Sequence, residues 1–159
     1  MSRKSDIKKI IQEWQEKEIL IPAEIEYKTL GQNTVNSALW NSPYKILTYI
    51  DSIGCSSCQL RFSEWEILIN SCKLQKLDVS FLFVVHSSDF INFDKEIRFY
   101  GFDYPIIFDY KNQFDKFNHF PPAPYRTFLL DKDNKVQLIG SPINNPTMWE
   151  LYKKEITHP

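Results

Sequence analysis

Apolar residues along this chain follow two rhythms, and the change from one to the other marks its elements. Val79–Val85 (VSFLFVV) is an apolar run between polar neighbours, the pattern of a strand buried on both faces. Ile46, Leu47, Tyr49 and Ile50 form a second β-rich run, and Pro43 keeps helix from reaching back into it. Between the two runs Cys58, Phe62, Trp65, Ile69 and Cys72 recur by alternating steps of four and three, which puts them on one face of a helix. Strand, helix and buried strand in this order predict a right-handed βαβ unit.

The remaining elements follow from the same patterns. Ser5–Glu18 carries Ile7, Ile10, Ile11 and Trp14 at helical spacing, with Ser5 or Asp6 as its cap. Ala23–Lys28 alternates as a short strand, and Gly31–Pro43, rich in Asn and Ser, is expected to be loop, with a short strand or turn as the alternative within it. Asp89–Tyr100 predicts a helix capped by Ser88, with Phe90, Phe93, Ile97 and Tyr100 on one face. Pro105–Phe108 is a short strand and Asn112–Phe117 a helical turn. Pro121, Pro122 and Pro124 mark a rigid loop. Arg126–Asp131 (RTFLLD) and Lys135–Gly140 (KVQLIG) read as a hairpin turned by Lys132, Asp133 and Asn134. Thr147 caps a last helix, Met148–Ile156, with Trp149 and Tyr152 facing inward. The class is α/β, a sheet flanked by helices. Residues 44–159 are expected to form one domain, with residues 1–43 as an extension packed on it.

Composition narrows the functional classes. With 159 residues, 43% of them hydrophobic and 15% aromatic, the chain can bury a real core as one domain. A net charge of −1 without a Lys/Arg patch argues against nucleic-acid binding. Lys8–Lys9 and Lys153–Lys154 lie in helical segments and are expected as solvated faces. The start, MSRKSDIKK, opens into a polar helix without the marks of a signal peptide, and no apolar run is long enough to span a bilayer. Phe81, Phe83, Phe90, Phe93, Phe99, Phe102 and Phe108 are expected in the core, and the scattered glycines form no phosphate loop.

Candidate chemistry is concentrated at Cys55 and Cys58. Ser52, Ile53 and Gly54 are expected to turn the chain after the strand, Gly54 supplying backbone freedom beside the first cysteine. Cys58 is on the inward stripe of the helix. Cys55 precedes the regular helix, among the unpaired N–H groups of its first turn, where partial positive charge favours a thiolate. Thiols ordinarily near ~8.5 fall to roughly 3.5–7.5 in such places. Cys55 is therefore the candidate nucleophile and Cys58 the candidate resolving thiol. On a continuous helix Cys72 lies about 21 Å from Cys58, beyond the roughly 7 Å Cα separation of a disulfide. It is expected as a small buried apolar residue. Structural zinc needs two further Cys or His at short spacing, and Cys72, His86, His119 and His158 form no second close pair. His86 is expected as a hydrogen-bonded residue ending its strand, His119 as a packed ring beside Phe117 and Phe120, and His158 is terminal. No metal is assigned.

Four stretches, YIDSIGCSSCQLRFSEW, FLFVV, YPIIFD and TFLLDKDNKVQLIGSP, resemble thioredoxin-like proteins, specifically the TlpA-type thiol-disulfide oxidoreductases and their peroxiredoxin-related cousins. Together they span roughly Tyr44–Gly140. The resemblance implies a thioredoxin-like fold with a central mixed sheet, and disulfide exchange with a partner protein without any cofactor. Cys55 would attack and Cys58 resolve. Gly54 and the Pro121–Pro124 loop would form the docking rim, and Ser56 and Ser57 would offer N–H groups to the thiolate. The resemblance favours the cell envelope or periplasm over the cytoplasm.

The chain also departs from that family's pattern. Gly54 stands where Trp usually precedes the first cysteine, and Ser56-Ser57 where Pro is common inside the pair. Counted back from TFLLD, the family's cis-proline position falls on Tyr125, with Pro124 one residue early. Both are candidate docking residues. Asn134 replaces the usual hairpin Gly, a mild change because Asn tolerates positive φ. Where the family keeps a buried acid, six residues before Cys55, stands Tyr49. Asp51 is expected as a turn-capping carboxylate, and Glu64 and Glu66 as solvent-facing. Three other readings stay open: a peroxiredoxin-type peroxidase using Arg61 or Arg126, though no Pro precedes Cys55; a Cu(I) binder adding His86 or His119 to the two thiolates; and a redox-inactive adaptor.

Overall fold

The computed structural model describes residues 3–52 and 61–158. Its elements in chain order are α1 (Arg3–Trp14), β1 (Tyr27–Thr29), β2 (Gln32–Thr34), a 3-10 helix (Ser37–Asn41), β3 (Tyr44–Ser52), α2 (Phe62–Leu74), β4 (Val79–Ser87), α3 (Phe90–Tyr100), β5 (Ile106–Phe108), α4 (Gln113–Asn118), β6 (Thr127–Leu130), β7 (Val136–Ile139) and α5 (Pro146–Thr157). The strands form one mixed sheet in the order β2-β1-β5-β4-β3-β6-β7. β3 and β4 run parallel at its centre, from Tyr44 opposite Val79 to Ser52 opposite Ser87.

Alternation along these two strands feeds two cores. Ile46, Ile50, Phe81, Phe83 and Val85 face α2, α3 and α5, through Trp65, Ile69, Phe93, Ile97 and Tyr152. Leu47, Tyr49, Leu82 and Val84 face the other way, toward Trp14 of α1, Phe114 of α4, Phe120 and Phe128. Phe81 to Val85 are each at most 2% exposed. At about 1.5–3 kcal/mol per buried apolar side chain, β4 alone contributes roughly 10 kcal/mol before the entropy of ordering it. The predicted strand buried on both faces is the spine of the molecule.

Tertiary contacts move several predicted boundaries. The first helix stops at Trp14, not Glu18, because the backbone beyond it bonds to the far edge of the sheet. Glu16 N–H donates to Val136 O (2.8 Å), Val136 N–H to Lys17 O (2.9 Å), and Ile19 N–H to Asn134 O (2.9 Å). These bonds cover the edge of β7 and bury Ile19 to 2% exposure. The predicted strand at Ala23–Lys28 is confined to β1, where Tyr27 and Lys28 meet Ile107 and Ile106 of β5. The expected loop at Gly31–Pro43 contains β2 and the 3-10 helix. Asp89, not Ser88, caps α3, its Oδ1 accepting from Asn92 N–H (3.0 Å). Asn145 caps α5, with Pro146 in the first turn, displacing Thr147 from that role. On α3, Phe93 and Ile97 are buried but Phe99 and Tyr100 are 86% and 63% exposed, so Phe99 is not core. His119 is exposed as well: it ends α4 in the left-handed region (φ 52°) instead of packing beside Phe117 and Phe120. The hairpin forms as expected, Asn134 taking φ 62° at its turn.

Candidate functional site

A cleft of about 390 Å³ opens where the carboxyl end of β3, the start of α2 and the loop before β6 converge. Asp51 comes from β3, Arg61 and Trp65 from the head of α2, and Ala123, Pro124 and Arg126 from the loop. In an open α/β sheet this is the usual position for a ligand, beyond the carboxyl ends of the parallel strands. Trp65 forms the floor, 3% exposed and edge-on to Phe83 at 5.3 Å between centroids.

Pro124 is where the loop commits itself to the cleft. The Ala123–Pro124 peptide is cis, so the position falls on Pro124 and not on Tyr125. Pro124 lies on the cleft wall. Tyr125 instead lines a neighbouring cleft of about 510 Å³ against Asp6, Lys9 and Glu13 of α1. Tyr125 N–H donates to Pro122 O (3.0 Å), closing the turn that presents this ridge.

Arg126 and Tyr49 are coupled below the loop. The Arg126 Nε donates to Pro121 O at 2.7 Å, and its guanidinium lies 5.4 Å from the centre of the Tyr49 ring, a cation–π distance. Tyr49 is 2% exposed, stacks on Phe120 at 4.6 Å, and donates its hydroxyl to Asn112 Oδ1 at 2.6 Å. Burial, reinforced by the charges of Asp51 and Asp115, pushes its phenol above the usual tyrosine range. Tyr49 therefore stays neutral and cannot take a proton near pH 7. Asp51 is a strand residue opposite His86 in the β3–β4 register, half-buried on the cleft wall, and the turn it was expected to cap lies beyond the described residues. His86 shares a hydrogen bond between Nδ1 and Asp109 O at 2.8 Å, as expected of a ring ending its strand.

Arg61 sits at the other lip in the left-handed conformation (φ 55°, ψ 57°), and α2 begins only after it. A single unbroken helix from Cys58 through Cys72 is therefore not formed. From Phe62 onward the predicted stripe holds: Phe62, Trp65, Ile69 and Cys72 are all buried. Burial pushes the Cys72 thiol up to about 11. The Arg61 Nε pairs with Glu64 at 3.0 Å, and Glu64 also accepts from Asn144 Nδ2 at 3.2 Å. Glu64 and Glu66 are half-buried, not free in solvent. Gly54, Cys55, Ser56, Ser57 and Cys58 lie outside the described residues, as does Ile53, while Ser52, expected to open the turn, is the last residue of β3. Among the described residues no three His, Cys, Asp or Glu side chains come together as metal ligands.

No family model matches the chain, and no curated protein matches its sequence. Solved structures do match its shape. A thiol:disulfide interchange protein from Bacteroides sp. superposes with a TM-score of 0.62 at 14% identity, over 89% of this chain and 91% of that one. The fold is thioredoxin-like. The pneumococcal exposed lipoprotein thioredoxin from Streptococcus pneumoniae shares this thioredoxin-like architecture (TM-score 0.61, 14% identity, 83% and 99% covered). So does the thioredoxin domain of a thiol-disulfide oxidoreductase from Bacteroides vulgatus (TM-score 0.59, 15% identity, 89% and 97% covered). Sequence reasoning assigned neither Ile143 nor Trp65 to the cleft. Ile143 reaches it from the turn before α5, and nothing in the local sequence marks it. Trp65 is visible in the sequence only as one more apolar residue of a helical stripe.

Proposed function

We propose that the chain is a thiol-disulfide oxidoreductase whose Cys55–Cys58 pair exchanges disulfides with a partner protein. One topological observation carries the reading. The residues bearing the pair join the carboxyl end of β3 to the head of α2, and both anchors, Asp51 and Arg61, wall the same cleft as Pro124. Cys55 thiolate attacks one sulfur of the partner disulfide, forming a mixed disulfide and expelling the partner's other sulfur as a thiolate. Cys58 then attacks the Cys55 sulfur, closing the Cys55–Cys58 bond and releasing the second partner thiol. Two electrons pass from the pair to the partner, and the reverse sequence oxidises a partner dithiol. Gly54, Ser56, Ser57 and Pro124 form the docking rim in this reading, with Tyr125 set back on the α1 side. Residues 44–159 act as the exchanging domain and 1–43 as its extension. An envelope location goes with this reading, in keeping with the exposed lipoprotein of similar fold.

Paired substitutions test it. Cys55→Ser is expected to abolish exchange, while Cys58→Ser accumulates a mixed disulfide with the substrate on non-reducing gels. Equal trapping by both variants would overturn the assignment of roles. A pair that fails to cycle between dithiol and disulfide in a glutathione redox titration would overturn the reading itself.

A further inference from the structure

The two guanidinium groups at the cleft are held differently. Arg126 is tethered by a hydrogen bond from Nε to Pro121 O, whereas Arg61 lies beside Glu64 as an ion pair without hydrogen-bond alignment. The Arg126 tether restrains the plane of its group and leaves the paired Nη edge as the donor edge, the geometry that meets a carboxylate with two parallel bonds. The charges are not equivalent. Glu64 offsets Arg61, and Glu64 is itself held by Asn144. Arg126 pairs with no carboxylate among the described residues; its neighbours are a carbonyl and the face of the Tyr49 ring. Asp51 lines the same cleft, but no ion pair joins it to either arginine. A cation fixed on the wall beside Pro124, in a chain whose net charge is −1, is a local feature with no counterpart in the overall charge.

Resting on the exchange reading above, the geometry points to Arg126 as a specificity residue: it selects partner segments that carry an aspartate or glutamate beside the half-cystine. The acidic side chain forms a paired hydrogen bond with the Nη edge of Arg126, and Arg61 supports it from the opposite lip. A stacked, tethered guanidinium loses little freedom when it binds, which favours arginine over lysine at such a position.

The test uses the full reduced chain and two peptide disulfides that differ only in Glu against Gln next to the half-cystine. Oxidation of the protein is followed by stopped-flow fluorescence, with thiol release counted in parallel. The wild type is expected to react about tenfold faster with the Glu peptide at low salt. Raising the salt to about 0.5 M should shrink that preference. Arg126→Gln brings the ratio near one whatever happens to the absolute rates, and Arg126→Lys leaves an intermediate ratio. A strut that merely braces the loop would change both rates together and leave the ratio alone. A wild-type ratio near one with both peptides reacting overturns this inference while the exchange reading stands. A ratio that survives Arg126→Gln overturns the assignment to Arg126. If neither peptide nor a generic protein disulfide reacts, the exchange reading fails and this inference with it. Should Arg126→Gln not fold, a ratio indifferent to both salt and Arg126→Lys overturns the proposal.

Discussion

Asn118 fastens the N-terminal segment to the domain, and Asn118→Ala measures how tightly. The residue is 2% exposed at the end of α4. Its Oδ1 accepts from Leu20 N–H at 2.7 Å, and its Nδ2 donates to Leu20 O at 2.8 Å and to Phe114 O at 2.9 Å. The amide thus copies a strand bridge, bonding both polar groups of one residue 98 positions away. Each hydrogen bond is worth about 1 kcal/mol net. The two to Leu20 count for about half, since Leu20 is 50% exposed and water can replace the lost partner. The bond to Phe114 O is interior and counts in full. The total is about 2 kcal/mol, or roughly 4–8 °C in Tm for a domain of this size. Differential scanning calorimetry with urea titration reads the change. Limited proteolysis should show the first cut moving to the segment between α1 and β1. A Tm within about 1 °C of wild type would refute the reasoning, because the contacts of Glu16, Lys17 and Ile19 with the hairpin would then suffice without Asn118.

Two further outcomes follow from buried titratable groups. Lys45 is fully buried on β3, its Nζ donating to Trp40 O (3.0 Å) and Lys132 O (3.4 Å), and burial lowers its pKa despite the opposing charges of Asp131 and Asp133. The unfolded chain then binds more protons than the folded one between the lowered value and the ordinary lysine range, so this group makes stability rise with pH there. Urea midpoints from neutral to alkaline pH should lose that rise in Lys45→Met, and parallel profiles for the two proteins would refute it. Cys72, 3% exposed with its thiol pushed up to about 11, should react with iodoacetamide at pH 8 at least about a hundredfold more slowly than a free thiol. Measured in a Cys55→Ser, Cys58→Ser background, reaction at the free-thiol rate would refute its burial.

The central architecture is legible in the chain because it depends on period alone. An apolar run such as Phe81–Val85 can be satisfied only by cover on both faces, and steps of four and three from Phe62 to Cys72 admit only a helix pressed against it. A cysteine pair in the β3–α2 connection needs no coordinates to be noticed, and a proline near position 125 is visible too. Which of the adjacent residues took the cis peptide was not, since counting along the chain cannot resolve a one-residue offset that the loop absorbs.

Tertiary structure decided what depends on neighbours distant in sequence. Residues after Trp14 are helix formers by pattern, yet they leave the helix because the edge of β7, some 120 positions away, offers them bonds. Tyr100 follows the helical stripe of Phe93 and Ile97, but cover for α3 runs out before reaching it. Periodicity names a face without saying how far its partner extends. Arg126 is the clearest case. In the sequence it is one cation among 19. Its tie to Pro121 is local, but only folding sets it over the Tyr49 ring on the cleft wall, because that contact joins a loop to a strand that the chain itself keeps far apart.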